Sequence, residues 1–212
     1  MTPDEQAFSD VLNHYRQRIE TEQQWIESLP AEQRLGHRDL LLLEVGEDAA
    51  NLLADLIIGA GAKTIVELGT SYGYSTLFLA RAAQLTGGRV YTYELAEEKQ
   101  SYARERLGEA GLADLVEWRL GDAVSLLQNQ PGPVDFVFID LWKDLYIPCF
   151  EVLYPNLAQG AILVADNMLF PERSQPDAAA YRAAVRAKPD IEAVLLDICN
   201  GLDIACKLKR TP

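Results

Sequence analysis

The sequence predicts an α/β protein in which a mostly parallel, seven-stranded sheet is covered by helices on both faces. Short β-branched apolar runs alternate with segments that repeat apolar residues at helical spacing, which is typical of strand–helix–strand units. The first run enters a helix through Gly69 and Gly73, and such a turn suits a ligand-binding sheet edge. Near the end of the chain, Asn200-Gly201 predicts a hairpin. We therefore expect a doubly wound sheet that finishes with an antiparallel hairpin.

Composition and charge indicate one domain over residues 1–212 and disfavour polyanionic partners. The 212 residues, 49% hydrophobic and 24% charged, suffice for a large core. A net charge of −13 and a pI near 4.6 argue against nucleic acid and anionic membranes. Cys149, Cys199 and Cys206 are scattered and odd in number, so we expect reduced thiols. An acidic start and the lack of a transmembrane run favour a cytoplasmic protein.

The N-terminal part is predicted to be a helical extension, residues 1–39. Apolar residues at three- and four-residue steps predict a helix from about Pro3 to Leu29. A charged stretch, 31–39, leads to the leucine-rich segment 40–46, which is either a loop covering a pocket or the buried start of a helix. A further helix follows over 47–59, and Gly59-Ala-Gly61 ends it.

Strands and helices then alternate, as expected for a parallel sheet. The predicted strands are Thr64–Leu68, Arg89–Glu94, Leu115–Arg119, Val134–Asp140, Ala161–Asp166, Glu192–Cys199 and Asp203–Arg210. The predicted helices between them are Ser75–Leu85, Glu97–Ala110, Asp122–Gln128 and Lys143–Leu157.

The ends of the first two parallel strands favour a nucleoside-like ligand. Glu94 follows an apolar run, and a carboxylate there can accept hydrogen bonds from both hydroxyls of a ribose. The turn from Glu67 through Gly73 lacks both the dinucleotide glycine spacing and a phosphate-binding lysine. A phosphate-free nucleoside such as S-adenosylmethionine fits this pattern best. The alternatives are a solvated acid at Glu94 and a glycine turn that only reverses the chain.

The next strand ends bring hard oxygen ligands and a lysine together. Asp140, Asp166 and Asn167 offer two carboxylates and one amide oxygen, which suit Mg²⁺. Lys143 follows three positions after Asp140 and could act as a base in a desolvated site. Taken one at a time, these residues also fit turns, helix caps and an exposed lysine.

These segments together resemble the cation-dependent O-methyltransferases, a class I S-adenosylmethionine-dependent family that includes the catechol and caffeoyl-CoA enzymes. The matching segments are Glu67–Ser75, Tyr93-Glu94, Gly121–Ala123, Phe138–Tyr146 and Leu163–Asn167. The similarity runs from about Leu40 to Lys209. Val45-Gly46 and the Asp-x-Trp-Lys-Asp-x-Tyr segment lean toward the catechol enzymes. The resemblance implies a Rossmann-like fold.

The resemblance also implies a role for each matching position. Asp140, Asp166 and Asn167 would hold Mg²⁺, and Lys143 would be the general base. The residues implied around the methyl donor are Val45, Glu67, Gly69, Ser71, Gly73, Ser75, Glu94, Leu95, Asp122, Ala123, Asp140 and Trp142. Those implied around the acceptor are Leu41, Trp142, Lys143, Asn167 and Pro171.

The expected reaction is methyl transfer from S-adenosylmethionine to a hydroxyl of a small aromatic with two neighbouring hydroxyls. Leu141 replaces a histidine that contacts the adenine in the animal catechol enzyme, and Leu41 replaces its tryptophan over the catechol. A caffeoyl-CoA-type or other hydroxylated acceptor is therefore the alternative, followed by a non-catalytic module that only binds the cofactor. The N-terminal helix could pack on its own domain or form a homodimer.

Overall fold

The computed structural model describes residues 2–208, apart from the side chains of Leu35 and Arg38, and contains a seven-stranded sheet. The strands are β1 (Thr64–Leu68), β2 (Arg89–Glu94), β3 (Val116–Leu120), β4 (Val134–Ile139), β5 (Leu157–Ala165), β6 (Ile191–Leu196) and β7 (Leu202–Lys207). Their order across the sheet is β3-β2-β1-β4-β5-β7-β6. The first five strands pair in parallel, whereas β7 is antiparallel to both β5 and β6. The predicted fold class is confirmed.

Helices pack on both faces of this sheet. They are α1 (Pro3–Ser28), α2 (Ala31–Arg34), α3 (Glu47–Ala60), α4 (Tyr74–Thr86), α5 (Glu97–Glu109), α6 (Ala123–Leu127), α7 (Tyr146–Leu153) and α8 (Gln175–Arg186). One buried cluster joins α1, α3, α4 and α5 to the sheet, and a second cluster joins α6, α7 and α8 to its other side. Alternate residues of β1 divide between the two clusters, Ile65 facing one and Val66 the other. The core therefore lies in two layers separated by the sheet.

The N-terminal extension begins with a well-capped helix and ends in irregular chain. The Thr2 hydroxyl accepts from the Glu5 N–H at 3.2 Å, while the Glu5 carboxylate accepts from the Thr2 N–H at 2.7 Å. The charged stretch contains α2 and a 3₁₀ helix over Leu35–Leu40. Residues 41–46, which we call the covering segment, are irregular, with Leu43 at φ 51°. They do not begin a helix, since α3 starts at Glu47.

Some predicted element boundaries were wrong. The helix expected over Lys143–Leu157 is limited to α7, with short 3₁₀ turns at both ends. At its carboxyl end, Pro155 lacks the N–H that a longer α-helix needs. The strand predicted to reach Cys199 stops at Leu196, and Cys199 has a left-handed φ of 52° that a strand cannot accommodate. Helix α8 was not predicted. Lys209 and Arg210 of the last predicted strand lie outside the described residues.

Among residues 2–208, no helix is both long and apolar enough to span a bilayer.

The hairpin between β6 and β7 gives a stability prediction. Gly201 has φ +90°, and a Cβ added there would lie 2.7 Å from the backbone nitrogen of Leu169. Gly111 has φ +70° with open space around it. Gly111→Ala should therefore cost only the left-handed strain, about 1 kcal/mol, whereas Gly201→Ala should cost about 3 kcal/mol in urea unfolding because it adds a backbone clash. Equal losses for the two variants would contradict this packing.

Candidate active site

A cavity of about 610 Å³ opens at the carboxyl ends of the parallel strands, where ligands bind in open α/β sheets. Among the predicted site residues, those that line it are Gly69, Ser71, Glu94, Leu95, Asp122, Ala123, Asp140, Trp142, Lys143, Asn167 and Pro171. The glycine turn after β1 passes close to the end of β4. A Cβ on Gly69, whose φ is +101°, would lie 2.1 Å from the Asp140 carbonyl oxygen. Position 69 must therefore be glycine for the two strand ends to meet.

Glu94, at the end of β2, is held by three backbone N–H groups. Its Oε2 accepts from the Ser71 N–H at 2.7 Å, and its Oε1 accepts from Leu95 and Ala96 at 2.8 and 2.9 Å. These bonds fix the carboxylate at the cavity wall and link the glycine turn to β2. A carboxylate accepts more than three hydrogen bonds, so it retains capacity for a ligand hydroxyl.

Glu67 lies beneath the cavity, fully buried at the end of β1. Its carboxylate accepts from the hydroxyls of Ser75, Thr76 and Thr92 at 2.7, 2.6 and 2.6 Å. Burial raises the pKa of Glu67 to about 7, and the hydroxyl donors offset only part of this effect. Glu67 thus joins β1, α4 and β2 under the turn.

Asp122 begins α6 at another side of the cavity. Its Oδ1 accepts from the Ser125 N–H at 2.8 Å and the Ser125 hydroxyl at 2.6 Å, a regular N-cap. These hydrogen bonds lower the pKa of Asp122. The neighbouring Ala123 has only a methyl group, which leaves room for a flat ring at the wall.

Asp140 and Asp166 directly follow the neighbouring strands β4 and β5. Asn167 comes next, with a left-handed φ of 55°, and its Nδ2 donates to Asp166 Oδ2 at 2.7 Å. Asp166 is almost fully buried, and its Oδ1 has no hydrogen-bond partner among the described residues. Burial raises the pKa of Asp166, and the negative charge of Asp140 raises it further. A cation would relieve both effects.

The donor set formed by Asp140, Asp166 and Asn167 fits a hard divalent cation. It has two carboxylates and one amide oxygen, which are suitable for Mg²⁺. Within residues 2–208, no group of three or more His, Cys, Asp or Glu side chains is arranged for a metal. Asp140 and Asp166 are therefore the only such side chains of this donor set, and the Asn167 amide oxygen is its third predicted ligand.

Lys143 extends from the 3₁₀ turn after β4 toward the same place. Its Nζ donates to the Tyr146 hydroxyl and lies 3.4 Å from Asn167 Oδ1. Tyr146 is fully buried and donates to the Asp166 carbonyl oxygen at 3.3 Å. Burial raises the pKa of Tyr146 well above its usual value, so the hydroxyl stays neutral. Tyr146 therefore positions the lysine beside the two acids.

The other predicted site residues lie around this cavity but do not line it. Asp166 and Glu67 are buried beneath it, and Ser75 bonds to Glu67. Val45 is buried in the core near α3, and a Cβ on Gly73 would contact Ala103. Leu41 lines a separate hollow of about 200 Å³ against α1. Their contacts with ligand remain predictions.

Several lining residues were not predicted as site residues. They are Asp39, Leu43, Glu44, Tyr93, Lys99, Gly121, Leu141, Asp144, Leu145, Arg173, Ser174, Asp177 and Asn200. Six come from three regions far apart in the sequence: the covering segment, the start of α8 with the turn before it, and the hairpin loop. Five others lie inside the matched segments, which could have revealed them; they are Tyr93, Gly121, Leu141, Asp144 and Leu145. No local pattern singles out the rest.

The strand order and the position of the cavity define a Rossmann-like methyltransferase. An O-methyltransferase from Streptomyces achromogenes involved in tomaymycin synthesis, solved with SAM, is 28% identical with a TM-score of 0.73, covering 82% of this chain and 86% of that chain. The O-methyltransferase from Bacillus cereus, solved with SAH, is 27% identical with a TM-score of 0.74, covering 95% and 90%.

Sequence relatives give the family. A probable O-methyltransferase of Mycobacterium tuberculosis is 34% identical over 164 residues, covering 72% of this chain and 67% of the relative. A catechol O-methyltransferase of Niastella koreensis is 32% identical over 145 residues, covering 66% and 65%. The matches thus span about two thirds of these relatives. The profile of the O-methyltransferase family matches residues 20–208, so the chain belongs to that family. The expected class, S-adenosylmethionine-dependent O-methyltransferase, is confirmed at this level.

The buried Glu67 gives a pH prediction. The folded protein keeps the Glu67 proton up to about pH 7, whereas the unfolded chain releases it near the ordinary pKa of 4.5. The folded state therefore binds more protons in this interval, and its stability falls as pH rises through it. Glu67→Gln should remove about 3 kcal/mol of this decline between pH 4.5 and 7.5. Urea unfolding at several pH values measures it, and parallel curves for both proteins would contradict the raised pKa.

Proposed function

We propose that this O-methyltransferase transfers the methyl group of S-adenosylmethionine to one hydroxyl of a small aromatic that carries two neighbouring hydroxyls, with the assistance of Mg²⁺. The observation that supports this most strongly is the convergence of Asp140, Asp166, Asn167 and Lys143 at the edge of one cavity. Glu94 lines the same cavity. One cavity thus combines a candidate ribose site with a candidate site for a chelating acceptor.

The methyl donor would lie along the ends of β1, β2 and β3. Glu94 would accept the ribose hydroxyls, as its remaining lone pairs allow. Ala123 and Asp122 would lie beside the adenine. Gly69 would face the methionine part, since its missing side chain leaves backbone exposed at the cavity wall.

The acceptor would lie at the ends of β4 and β5. Asp140, Asp166 and Asn167 would hold Mg²⁺, and a cation there would supply Lewis acidity toward the hydroxyls of the acceptor. Lys143 would take the proton of the reacting hydroxyl on Nζ, and Tyr146 would keep that nitrogen in reach. Pro171 and Trp142 would form walls for a flat ring; the indole is 60% exposed and free to cover it. Holding both reactants in one cavity favours in-line displacement at the methyl group.

The charge of the cavity favours a small acceptor over a coenzyme A ester. Acidic side chains outside the candidate metal and ribose sites also line the cavity; they are Asp39, Glu44, Asp144 and Asp177. A polyanionic ester would have to approach these carboxylates, with Lys99, Lys143 and Arg173 as the basic residues of the lining. A compact diphenol avoids this repulsion.

Location and assembly stay proposals. Cys149, Cys199 and Cys206 are free thiols, which agrees with a reducing compartment such as the cytoplasm. The homodimer stays a proposal. Helix α1 packs on its own domain through Val11, Leu12 and Tyr15.

Replacing the proposed base gives an activity prediction. Lys143→Ala should lower kcat for a catechol by roughly 10²- to 10⁴-fold, because the reacting hydroxyl loses its proton acceptor. Lys188→Ala is the matched control, since Lys188 pairs with Glu151 at 2.7 Å outside the cavity, and its kcat should stay within about twofold of the wild type. Product formation from labelled S-adenosylmethionine measures both. An unchanged rate in Lys143→Ala would refute the proposed base.

Metal binding gives a separate prediction that needs no turnover. Titration of the wild-type protein with Mg²⁺ in a calorimeter should show one site, and Asp166→Asn should weaken it at least about tenfold because a charged ligand is lost. Asp197→Asn, at an exposed acid in the hairpin loop, should bind Mg²⁺ like the wild type. Removing divalent cations with EDTA should also abolish methylation of the catechol. Full activity in EDTA would contradict the Mg²⁺ assignment.

A further inference from the structure

Helix α1 is hydrogen-bonded to the segment that borders the cavity. Glu22 on this helix accepts from the Leu42 N–H through Oε2 at 2.7 Å. Leu42 is 2% exposed and lies in the covering segment, next to Leu43 and Glu44, which both line the cavity. The extension therefore reaches the candidate site through a side chain about twenty positions earlier in the sequence.

Glu22 is itself held in place by a second set of contacts. Its Oε1 pairs with Arg18 at 2.6 Å, and both side chains are less than one fifth exposed. The Arg18 guanidinium lies 3.8 Å from the ring centroid of Tyr72 and 4.7 Å from that of Tyr102. An ion pair that is partly shielded from water and stacked on two rings is ordered, so it holds the Glu22 carboxylate toward Leu42.

The Leu42 peptide continues this connection to the cofactor turn. Its carbonyl oxygen accepts from the Ser71 hydroxyl at 3.3 Å, and the Ser71 N–H donates to Glu94 at 2.7 Å. Leu43, the next residue, has a left-handed backbone at φ 51°, which a leucine adopts only when its surroundings impose it. Leu42, the residue before it, has both of its backbone polar groups hydrogen-bonded: the N–H donates to Glu22 and the carbonyl oxygen accepts from Ser71.

We propose that Glu22 is a positioning residue for the methyl donor: through the Leu42 N–H it holds the covering segment, and with it Ser71 and Glu94, in the arrangement that binds the cofactor. The inference rests on the proposed function, since it assumes that S-adenosylmethionine occupies the cavity beside Glu94. It gives the N-terminal helix a role in cofactor affinity, and Glu22 touches neither the donor nor the reacting atoms.

The experiment compares three variants with the wild type. Glu22→Ala removes the acceptor, and Glu22→Gln keeps an oxygen for the Leu42 N–H but loses the ion pair with Arg18. Glu20→Ala is the control, because it makes the same substitution at an exposed position of the same helix, away from the contacts that hold Glu22. Calorimetry measures the Kd for S-adenosylhomocysteine, and initial rates give KM and kcat. Hydrogen exchange of the Leu42 amide is read in the ligand-free proteins.

Glu22→Ala should raise the Kd for S-adenosylhomocysteine and the KM for S-adenosylmethionine about tenfold, as expected for a lost charge-assisted hydrogen bond. At saturating cofactor kcat should stay within about twofold, because the reacting groups are intact. Leu42 amide exchange should accelerate by at least about tenfold. Glu22→Gln should recover only part of the affinity, because it keeps an acceptor for the Leu42 N–H but lacks the ion pair that orders it, and Glu20→Ala should resemble the wild type in all three measurements.

Other results would overturn the inference in distinguishable ways. If the wild type binds no S-adenosylhomocysteine, the proposed function and the role of Glu22 both fall. If the wild type binds it and Glu22→Ala binds equally well, only the role of Glu22 falls. If Glu20→Ala weakens cofactor binding as much as Glu22→Ala does, the effect is a general one of altering α1, and Glu22 has no particular role.

Discussion

Two backbone hydrogen bonds just beyond the strands determine where the candidate chemistry can take place. The Asp140 N–H donates to the Leu68 carbonyl at 2.9 Å, and the Asp166 N–H donates to the Ile139 carbonyl at 3.0 Å. They continue the parallel pairing of β1, β4 and β5 by one residue, so both acids begin at the same sheet edge at the spacing of adjacent strands. Gly69 permits this, since any side chain there would meet the Asp140 carbonyl. The site is a consequence of strand register.

The residues beneath the site are stabilised by a different interaction, the hydrogen bonds of the buried Glu67 carboxylate. Burying Glu67 is unfavourable for its charged form, and three hydroxyls from α4 and β2 compensate part of that cost. The same hydrogen bonds tie the first helix after the turn to the first two strands. A carboxylate at this position thus fixes the turn that presents Gly69 and Ser71, while contributing no wall to the cavity.

The sequence was sufficient for the sheet and for the acids at its edge, because both depend on local patterns. A buried parallel strand such as β4 contains a continuous apolar run, Phe136–Ile139, and the polar residue that follows this run lies at the sheet edge. Helix α8 was missed although Ala178, Tyr181 and Val185 are buried at helical spacing and its alanines favour a helix. The link from Glu22 to Leu42 was out of reach. Glu22 is a charged helix residue that its sequence would place in solvent, and Leu42 lies in an irregular segment. No local pattern in either stretch indicates a contact with the other.

On the proposed function, the acidity of the cavity has a direct electrostatic consequence. S-adenosylmethionine carries a positive sulfonium that becomes neutral when the methyl group leaves, so free carboxylates near the sulfur would stabilise the reactant and slow the transfer. The acids on the donor side are engaged elsewhere: Glu94 accepts from three backbone N–H groups, Asp122 caps α6 and Glu67 is buried under three hydroxyls. Asp140 and Asp166 would lie toward the acceptor, where a cation would balance them. On this proposal the carboxylates nearest the donor are already hydrogen-bonded within the protein, which would lower their stabilisation of the reactant sulfonium.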